Sequence, residues 1–164
     1  LSYIEAGKQD GAKLMVGGKR IRPEGFEEGY YVEPTVFTNV NNDMRIAKEE
    51  IFGPVLSVIP YKDLDDALRI ANDTIYGLAG GVWTKDPKKG LEVARAIKAG
   101  TVWINDWHLL RNDAPFGGYK QSGIGRELGH FGLEEYTQVK HIHQSMVQDR
   151  QRRFWYDRIV TLKE

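Results

Sequence analysis

The chain has 164 residues and a mass of 18.7 kDa, with 41% apolar, 28% charged and 11% aromatic residues. This composition excludes a disordered chain and a collagen, because the apolar content supports a buried core and no Gly-X-Y period is present. The 23 basic residues balance 23 acidic ones, which excludes a net positive charge that would attract nucleic acid, and the absence of cysteine excludes a disulfide framework and a thiolate nucleophile within this sequence.

The predicted elements begin with a helix to about Gly7, followed by a short apolar run over Lys13–Val16. Tyr30–Phe37 is rich in β formers but contains Pro34, which cannot donate a ladder hydrogen bond. It is therefore predicted to be an edge strand or an interrupted strand. Lys48–Pro54 places two carboxylates beside an aromatic ring and a Gly-Pro break, which predicts a helix end turning into a sheet.

Three apolar runs are predicted as strands, at Val55–Tyr61, Leu78–Thr84 and Thr101–Asn105. An amphipathic helix capped by Asp63 is predicted after the first, and a helix opened by Asp86-Pro87 and ending at Gly100 after the second. This alternation over about 50 residues predicts a parallel sheet with right-handed crossovers. The nearly continuous apolar runs predict strands that are covered on both faces.

Regular patterning ends beyond the third run. Residues 114–132 are glycine-rich, Gly132–Tyr136 predicts a short helix, and Val139–Met146 alternates weakly, as an edge strand does. From Gln148 onward the chain is polar and basic.

The glycine-rich stretch does not fit a phosphate-binding loop, because neither the P-loop nor the dinucleotide spacing is present. Tight structural turns are favoured instead. His141 and His143 share a face if they lie on a strand, but no third ligand accompanies them, so ordinary surface histidines are favoured over a metal site. The acidic group Asp63, Asp65 and Asp66 is interpreted as a capped, solvated helix start.

The basic tail leaves one alternative open. Its arginines alternate with two acidic residues and lie near Trp155, which permits a nucleic-acid patch but favours a solvated or subunit-contacting tail. These charged residues are Arg150, Arg152, Arg153 and Arg158, with Asp149 and Asp157.

Five motifs in order resemble the aldehyde dehydrogenase superfamily, and the resemblance extends to about residue 144. It is strongest for enzymes that use NAD to oxidise betaine aldehyde or semialdehydes. The motifs are EPTV at 33–36, KEEIFGP at 48–54, YGL at 76–78, GTVWIN at 100–105 and PFGGYKQSGIGRE at 115–127.

The resemblance implies an α/β fold, namely an incomplete parallel-sheet, three-layer α/β/α catalytic domain with a C-terminal β-arm. It assigns 1–137 to that domain, 138–147 to an oligomerisation strand and 148–164 to a basic and aromatic tail. The sequence opens at Leu1 without an initiator methionine, so we interpret it as a piece of a longer protein. A cytoplasmic homo-oligomer is expected, without a membrane or nucleic-acid partner.

The activity implied by the resemblance is oxidation of a small aldehyde to a carboxylic acid through a cysteine thiohemiacetal and thioester. NAD or NADP would be the cofactor of the complete enzyme. The nucleophilic cysteine, general-base glutamate and oxyanion asparagine of the family would precede Leu1, so this chain alone is expected to be inactive. The alternative is a non-catalytic self-assembly module derived from the dehydrogenase.

The resemblance also implies binding residues, but no catalytic residue and no metal ligand in this chain. Glu50 would accept hydrogen bonds from the nicotinamide-ribose hydroxyls, and Phe52 would pack near the nicotinamide. Trp107, Leu110 and Phe116 would line the aldehyde channel, although simple core packing stays open for Trp107 and Leu110.

Two further positions carry structural expectations from the resemblance. Arg126 would form an ion pair near the cofactor and the subunit contacts. Gln138 replaces a glutamate that pairs with arginines in some relatives, so that pairing loses its charge here.

Overall fold

The computed structural model describes residues 1–146, so the predicted tail 148–164 and the last residue of the predicted strand 138–147 lie outside the described residues. None of the helices in this range is long and apolar enough to span a membrane. The helices are α1 (Ser2–Gln9), α2 (Arg45–Lys48), α3 (Leu64–Asn72), α4 (Pro87–Ala96) and α5 (Gly129–Glu134). The strands are β1 (Lys13–Val16), β2 (Arg20–Ile21), β3 (Tyr31–Val32), β4 (Thr35–Thr38), β5 (Val55–Ser57), β6 (Ala79–Val82) and β7 (Thr101–Ile104).

A three-stranded sheet is built around β4, which pairs antiparallel with β1 and parallel with β5. The predicted interruption at Pro34 is confirmed, because β3 ends before it and β4 begins after it. The prediction of an edge position is wrong for β4, which is the central strand. Its ladder starts at Thr35, whose N–H donates to the Pro54 carbonyl at 2.8 Å, so the proline stays outside the pairing.

Among residues 1–146, the buried hydrophobic core lies in this first unit, between the three-stranded sheet, α1 and α2. Its buried side chains are Ile4, Ala12, Phe37, Val40 and Ile46. Removing these residues from water is the main stabilising contribution here. The two helices are therefore held firmly on the sheet, and α2 leads directly into the KEEIFGP segment.

The second unit contains the parallel pair β6 and β7, connected through α4. The predicted caps are confirmed: Asp63 accepts from the Asp66 N–H at 2.9 Å, and Asp86 accepts from the Lys88 N–H at 2.9 Å. Helix α4 ends at Ala96 rather than near Gly100, because Ile97 is already extended with ψ of 125°.

The expectation that the predicted strands share one parallel sheet is wrong for the described residues, which form three separate sheets. Strand β5 pairs with β4 and not with β6, although α3 connects them in the order expected for a crossover. Alternation along the chain sets the α/β class, but it does not decide which strands are neighbours. The third sheet is the short antiparallel pair β2 and β3.

No strand forms over 139–146 in the described chain, in contrast to the weak alternation there. The Val139 and Ile142 side chains are 102% and 81% exposed. A strand needs the backbone of a neighbour for its hydrogen bonds, and none of residues 1–146 supplies one. The predicted short helix is confirmed as α5, which begins at Gly129 instead of Gly132.

Candidate functional site

A cleft of about 400 Å³ separates the segment after α2 from the second unit. Residues from three of the five sequence motifs meet there, although these motifs are far apart along the chain. The lining consists of Ala47, Lys48, Glu49, Glu50, Tyr76, Leu78, Gln121 and Ser122. The fold therefore creates one concave surface from the KEEIFGP, YGL and PFGGYKQSGIGRE motifs.

Glu50 provides an exposed carboxylate at this cleft. Its side chain is exposed, and it forms no hydrogen bond or ion pair with any of residues 1–146. An ionised carboxylate offers about four lone-pair positions and can accept from two hydroxyl groups at once. This arrangement is suited to binding a diol.

Phe52 lies two residues further along and has an unusual conformation. Its φ is 49° and its side chain is 92% exposed. The left-handed region is sparsely populated by bulky residues, and such outliers concentrate at ligand-binding sites. The segment thus carries an exposed carboxylate and an exposed aromatic ring two residues apart, although Phe52 does not line the cleft itself.

The neighbouring Glu49 is bound to protein groups. Its Oε2 accepts from the Tyr3 hydroxyl at 2.8 Å and from Arg45 Nε at 2.9 Å. The bond from Tyr3, followed by that from Arg45, lowers the pKa of the Glu49 carboxyl. Two adjacent glutamates therefore have different environments, one bonded within the protein and one open.

The opposite wall of the cleft is tied together around Gly77. Its N–H donates to Ser122 Oγ at 2.9 Å, and its carbonyl accepts from the N–H groups of Tyr119 at 2.8 Å and Gly100 at 3.0 Å. These bonds join the YGL, GTVWIN and glycine-rich motifs. The candidate lining residues Tyr76, Gln121 and Ser122 were not identified from the sequence, although the motifs that contain them were.

Lys120 fixes the same wall from a second direction. Its Nζ donates to the carbonyls of Asn72 and Thr74, both at 2.9 Å, at the end of α3. Its backbone adopts φ of 53°, which turns the chain sharply beside the cleft. The ammonium group thus satisfies carbonyl acceptors at a helix C-terminus, where a positive charge also interacts favourably with the helix dipole.

Phe116 lines an adjoining cleft of about 790 Å³, which shares Leu78 and Ser122 with the first. It is half-buried, and its backbone exchanges two 2.7 Å hydrogen bonds with Glu127. Phe116 is therefore held rigidly, close to the walls of the Glu50 cleft.

Arg126 also lines this adjoining cleft. Its guanidinium donates to the carbonyls of Gly118 and Gly125 at 3.1 and 2.6 Å and lies 5.5 Å over the Tyr119 ring. The ion pair implied by the resemblance is not formed with any of residues 1–146. Arg126 instead cross-links the glycine-rich turns through their carbonyl groups.

Trp107 and Leu110 lie in a different environment from Phe116. The Trp107 ring packs against Trp103 and Trp83, with centroid distances of 5.2 and 6.5 Å. Trp107 and Leu110 are both exposed, and neither lines the two clefts described above. The structure therefore does not bring the three predicted channel residues together within this chain.

Metal ligation has no support within residues 1–146. No group of three or more histidine, aspartate or glutamate side chains there is arranged to hold a metal ion. The His141 and His143 rings lie 6.2 Å apart, centroid to centroid, without a third ligand among these residues.

Comparison with known proteins adds independent information. The sequence model described as the aldehyde dehydrogenase family matches residues 1–142. The betaine aldehyde dehydrogenase of Bacillus subtilis strain 168 is 54% identical over 143 residues, which is 87% of this chain and 29% of that protein. The chain thus spans less than a third of the length of this relative.

Solved structures agree with this match. A double mutant of Staphylococcus aureus betaine aldehyde dehydrogenase in complex with NAD+ superposes with a TM-score of 0.83 and 54% identity, covering 86% of this chain and 28% of that one. Mycobacterium tuberculosis aldehyde dehydrogenase complexed with NAD+ gives a TM-score of 0.79 and 53% identity, covering 84% and 28%.

Proposed function

Because the chain belongs to the aldehyde dehydrogenase family, we propose that it forms the ribose-binding wall and part of the substrate channel of an enzyme that uses NAD to oxidise an aldehyde. The observation that carries this proposal is the open Glu50 carboxylate in a cleft built from three family motifs.

The residues at the cleft fit a nicotinamide nucleotide, and the structural relatives named above were crystallised with NAD+. Glu50 would accept from both hydroxyls of the nicotinamide ribose, and Phe52 would limit the movement of the ring. When bound, NAD+ supplies the acceptor for a hydride. The contribution of this chain is therefore to orient the ring, which raises the fraction of bound complexes in reactive geometry.

The proposed substrate is a small aldehyde that enters beside Phe116. Trp107 and Leu110 would line the outer part of the channel on a loop that is held by the 3.0 Å bond from Trp103 Nε1 to the Leu109 carbonyl. Aromatic walls accommodate apolar groups and also attract cations. Because the matched enzyme of Bacillus subtilis is a betaine aldehyde dehydrogenase, a cationic aldehyde is the first substrate to test.

The chain has no cysteine and therefore no thiol to attack the aldehyde carbonyl. We expect the 164-residue chain alone to form no NADH from betaine aldehyde and NAD+. A chimera in which residues 1–142 replace the matching segment of the Bacillus subtilis enzyme should form NADH, because that enzyme would supply the nucleophile. Absorbance at the NADH band measures both reactions.

The parent Bacillus subtilis enzyme is the control for assay and expression. A folded chimera without aldehyde-dependent NADH formation would contradict the proposed function. Activity of the 164-residue chain alone, after full-length contaminants are removed, would contradict the assignment of the nucleophile to another part of the enzyme.

We also propose that 138–147 joins subunits by strand addition. This would be the function of the chain if it serves only in assembly and not in catalysis. The support is the solvent-exposed stretch 138–144, in which Val139 and Ile142 lie outside any sheet of the described residues. Exposed strand edges tend to pair with the backbone of another chain.

Light scattering tests the assembly proposal. We expect the measured mass of the unmodified chain to exceed the monomer mass of 18.7 kDa. Ile142→Pro should shift the measured mass toward that of the monomer, because proline has no N–H to donate to a neighbouring strand. Ile142→Thr is the matched control, since it keeps the N–H and a β-branched side chain. A monomer at all concentrations for the unmodified chain would rule out self-assembly through this segment.

A further inference from the structure

We propose that Tyr3 and Arg45 are positioning residues that hold Glu49 and thereby fix the direction in which Glu50 faces the cleft. This inference rests on the proposed function of Glu50 as the ribose-binding carboxylate. It adds a specific requirement, namely that helix α1 contributes to cofactor orientation although none of its residues lines the cleft.

The three side chains form a closed set of contacts in which each touches the other two. The Tyr3 hydroxyl and Arg45 Nε both donate to Oε2 of Glu49, at 2.8 and 2.9 Å. The Arg45 guanidinium carbon lies 4.7 Å from the centroid of the Tyr3 ring. Glu49 is therefore held from two directions by charge-assisted hydrogen bonds, which are the stronger kind.

Glu49 is the last residue tied to α2 before the chain becomes extended. Its N–H donates to the Arg45 carbonyl at 3.0 Å, and its ψ of 149° starts the extended segment. The N–H groups of Glu50, Ile51 and Phe52 donate to none of residues 1–146. On the helix side, Glu49, held by both its N–H and its carboxylate, is thus the nearest fixed residue for the Glu50 backbone.

Helix α1 is firmly placed and can act as the anchor. Ile4, next to Tyr3, is buried in the core. At the other end of α1, Asp10 Oδ2 accepts from the Arg45 N–H at 2.9 Å, which satisfies a free amide at the start of α2. Both ends of the short helix α2 are therefore bonded to α1.

A stabilising function alone does not account for this arrangement. Arg45 and Glu49 are about half exposed, and exposed ion pairs contribute little to stability. Removing the Tyr3 hydroxyl leaves its ring on Arg45 and the hydrophobic core intact. The variant Tyr3→Phe therefore removes one bond to Glu49 with little change elsewhere.

The experiment uses the active chimera with the Bacillus subtilis enzyme. We expect Tyr3→Phe to lower kcat by roughly three- to tenfold, with the KM for aldehyde and the melting temperature unchanged, because only the orientation of the bound cofactor is affected. Glu5→Gln is the matched control: it breaks the exposed 2.7 Å pair of Glu5 with Lys8 on the same helix, away from α2.

A double-mutant cycle separates this inference from general destabilisation. If Tyr3 acts through Glu50, Tyr3→Phe has no further effect once Glu50→Gln is present, since coupled residues are non-additive. Additive effects of the two substitutions on kcat, or an unchanged kcat in Tyr3→Phe, would overturn the inference. An inactive unsubstituted chimera would instead count against the proposed function itself.

Discussion

Replacement of Glu50 by glutamine in the active chimera is expected to lower kcat by about 10- to 100-fold, the size of effect that misplaced reacting groups produce. Glutamine keeps one acceptor oxygen but replaces the second with an NH₂ donor and removes the charge. It therefore cannot accept from both ribose hydroxyls, and the nicotinamide ring loses its fixed orientation. Steady-state kinetics with ordinary and C1-deuterated aldehyde measure this effect, because slower hydride transfer enlarges the isotope effect.

The control for this prediction is Glu92→Gln, an exposed glutamate on α4 that lines neither the Glu50 cleft nor the Phe116 cleft. It removes the same charge without touching these two clefts. Unchanged kcat and isotope effect in Glu50→Gln, with an unchanged melting temperature, would show that this carboxylate does not orient the cofactor.

Gly100→Ala is expected to destabilise the 164-residue chain by about 2–3 kcal/mol or to prevent folding, as overpacking against backbone does. A Cβ at Gly100 would overlap the carbonyl oxygen of Gly117. Gly117 cannot move away easily, because its own Cα faces the Gly125 carbonyl and the Arg126 side chain. Urea denaturation followed by circular dichroism measures the free energy of unfolding.

Gly53→Ala is the matched control for the same substitution. A Cβ there meets only Ile51, with its nearest atom at 3.7 Å, which is ordinary van der Waals contact. We expect a change within about 1 kcal/mol, as for other unstrained glycines. Equal denaturation midpoints for Gly100→Ala and the unsubstituted chain would contradict the close packing of these glycine motifs.

Local features of the fold could be predicted from the sequence because their causes are local. Asp63 and Asp86 cap the helices that they precede, and Pro34 separates two strands, since each acts on backbone groups within a few residues. The same holds for α5 and for the parallel pairing of β6 with β7 around α4. These elements depend on patterns that a short window of sequence contains.

The candidate site could be predicted only in part, because its geometry depends on distant contacts. Resemblance to a family pointed to Glu50, but the cleft that it faces requires residues such as Ser122, which lies far along the chain. The bond between Tyr3 and Glu49 spans 46 residues and has no periodic signal. The separation of Trp107 from Phe116 likewise follows from packing against Trp83 and Trp103, which loop sequence does not reveal.

The position of the cleft between two units with separate sheets has a thermodynamic consequence. No strand of the β1–β4–β5 sheet pairs with β6 or β7, whereas the cleft walls come from both units. A nucleotide bound there, as proposed above, would bridge the two units and require both to be folded and joined. Its binding free energy would then add to their cohesion by RT ln(1 + [L]/Kd), about 2.7 kcal/mol at a hundred times Kd, so that occupancy would couple the unfolding of one unit to the other.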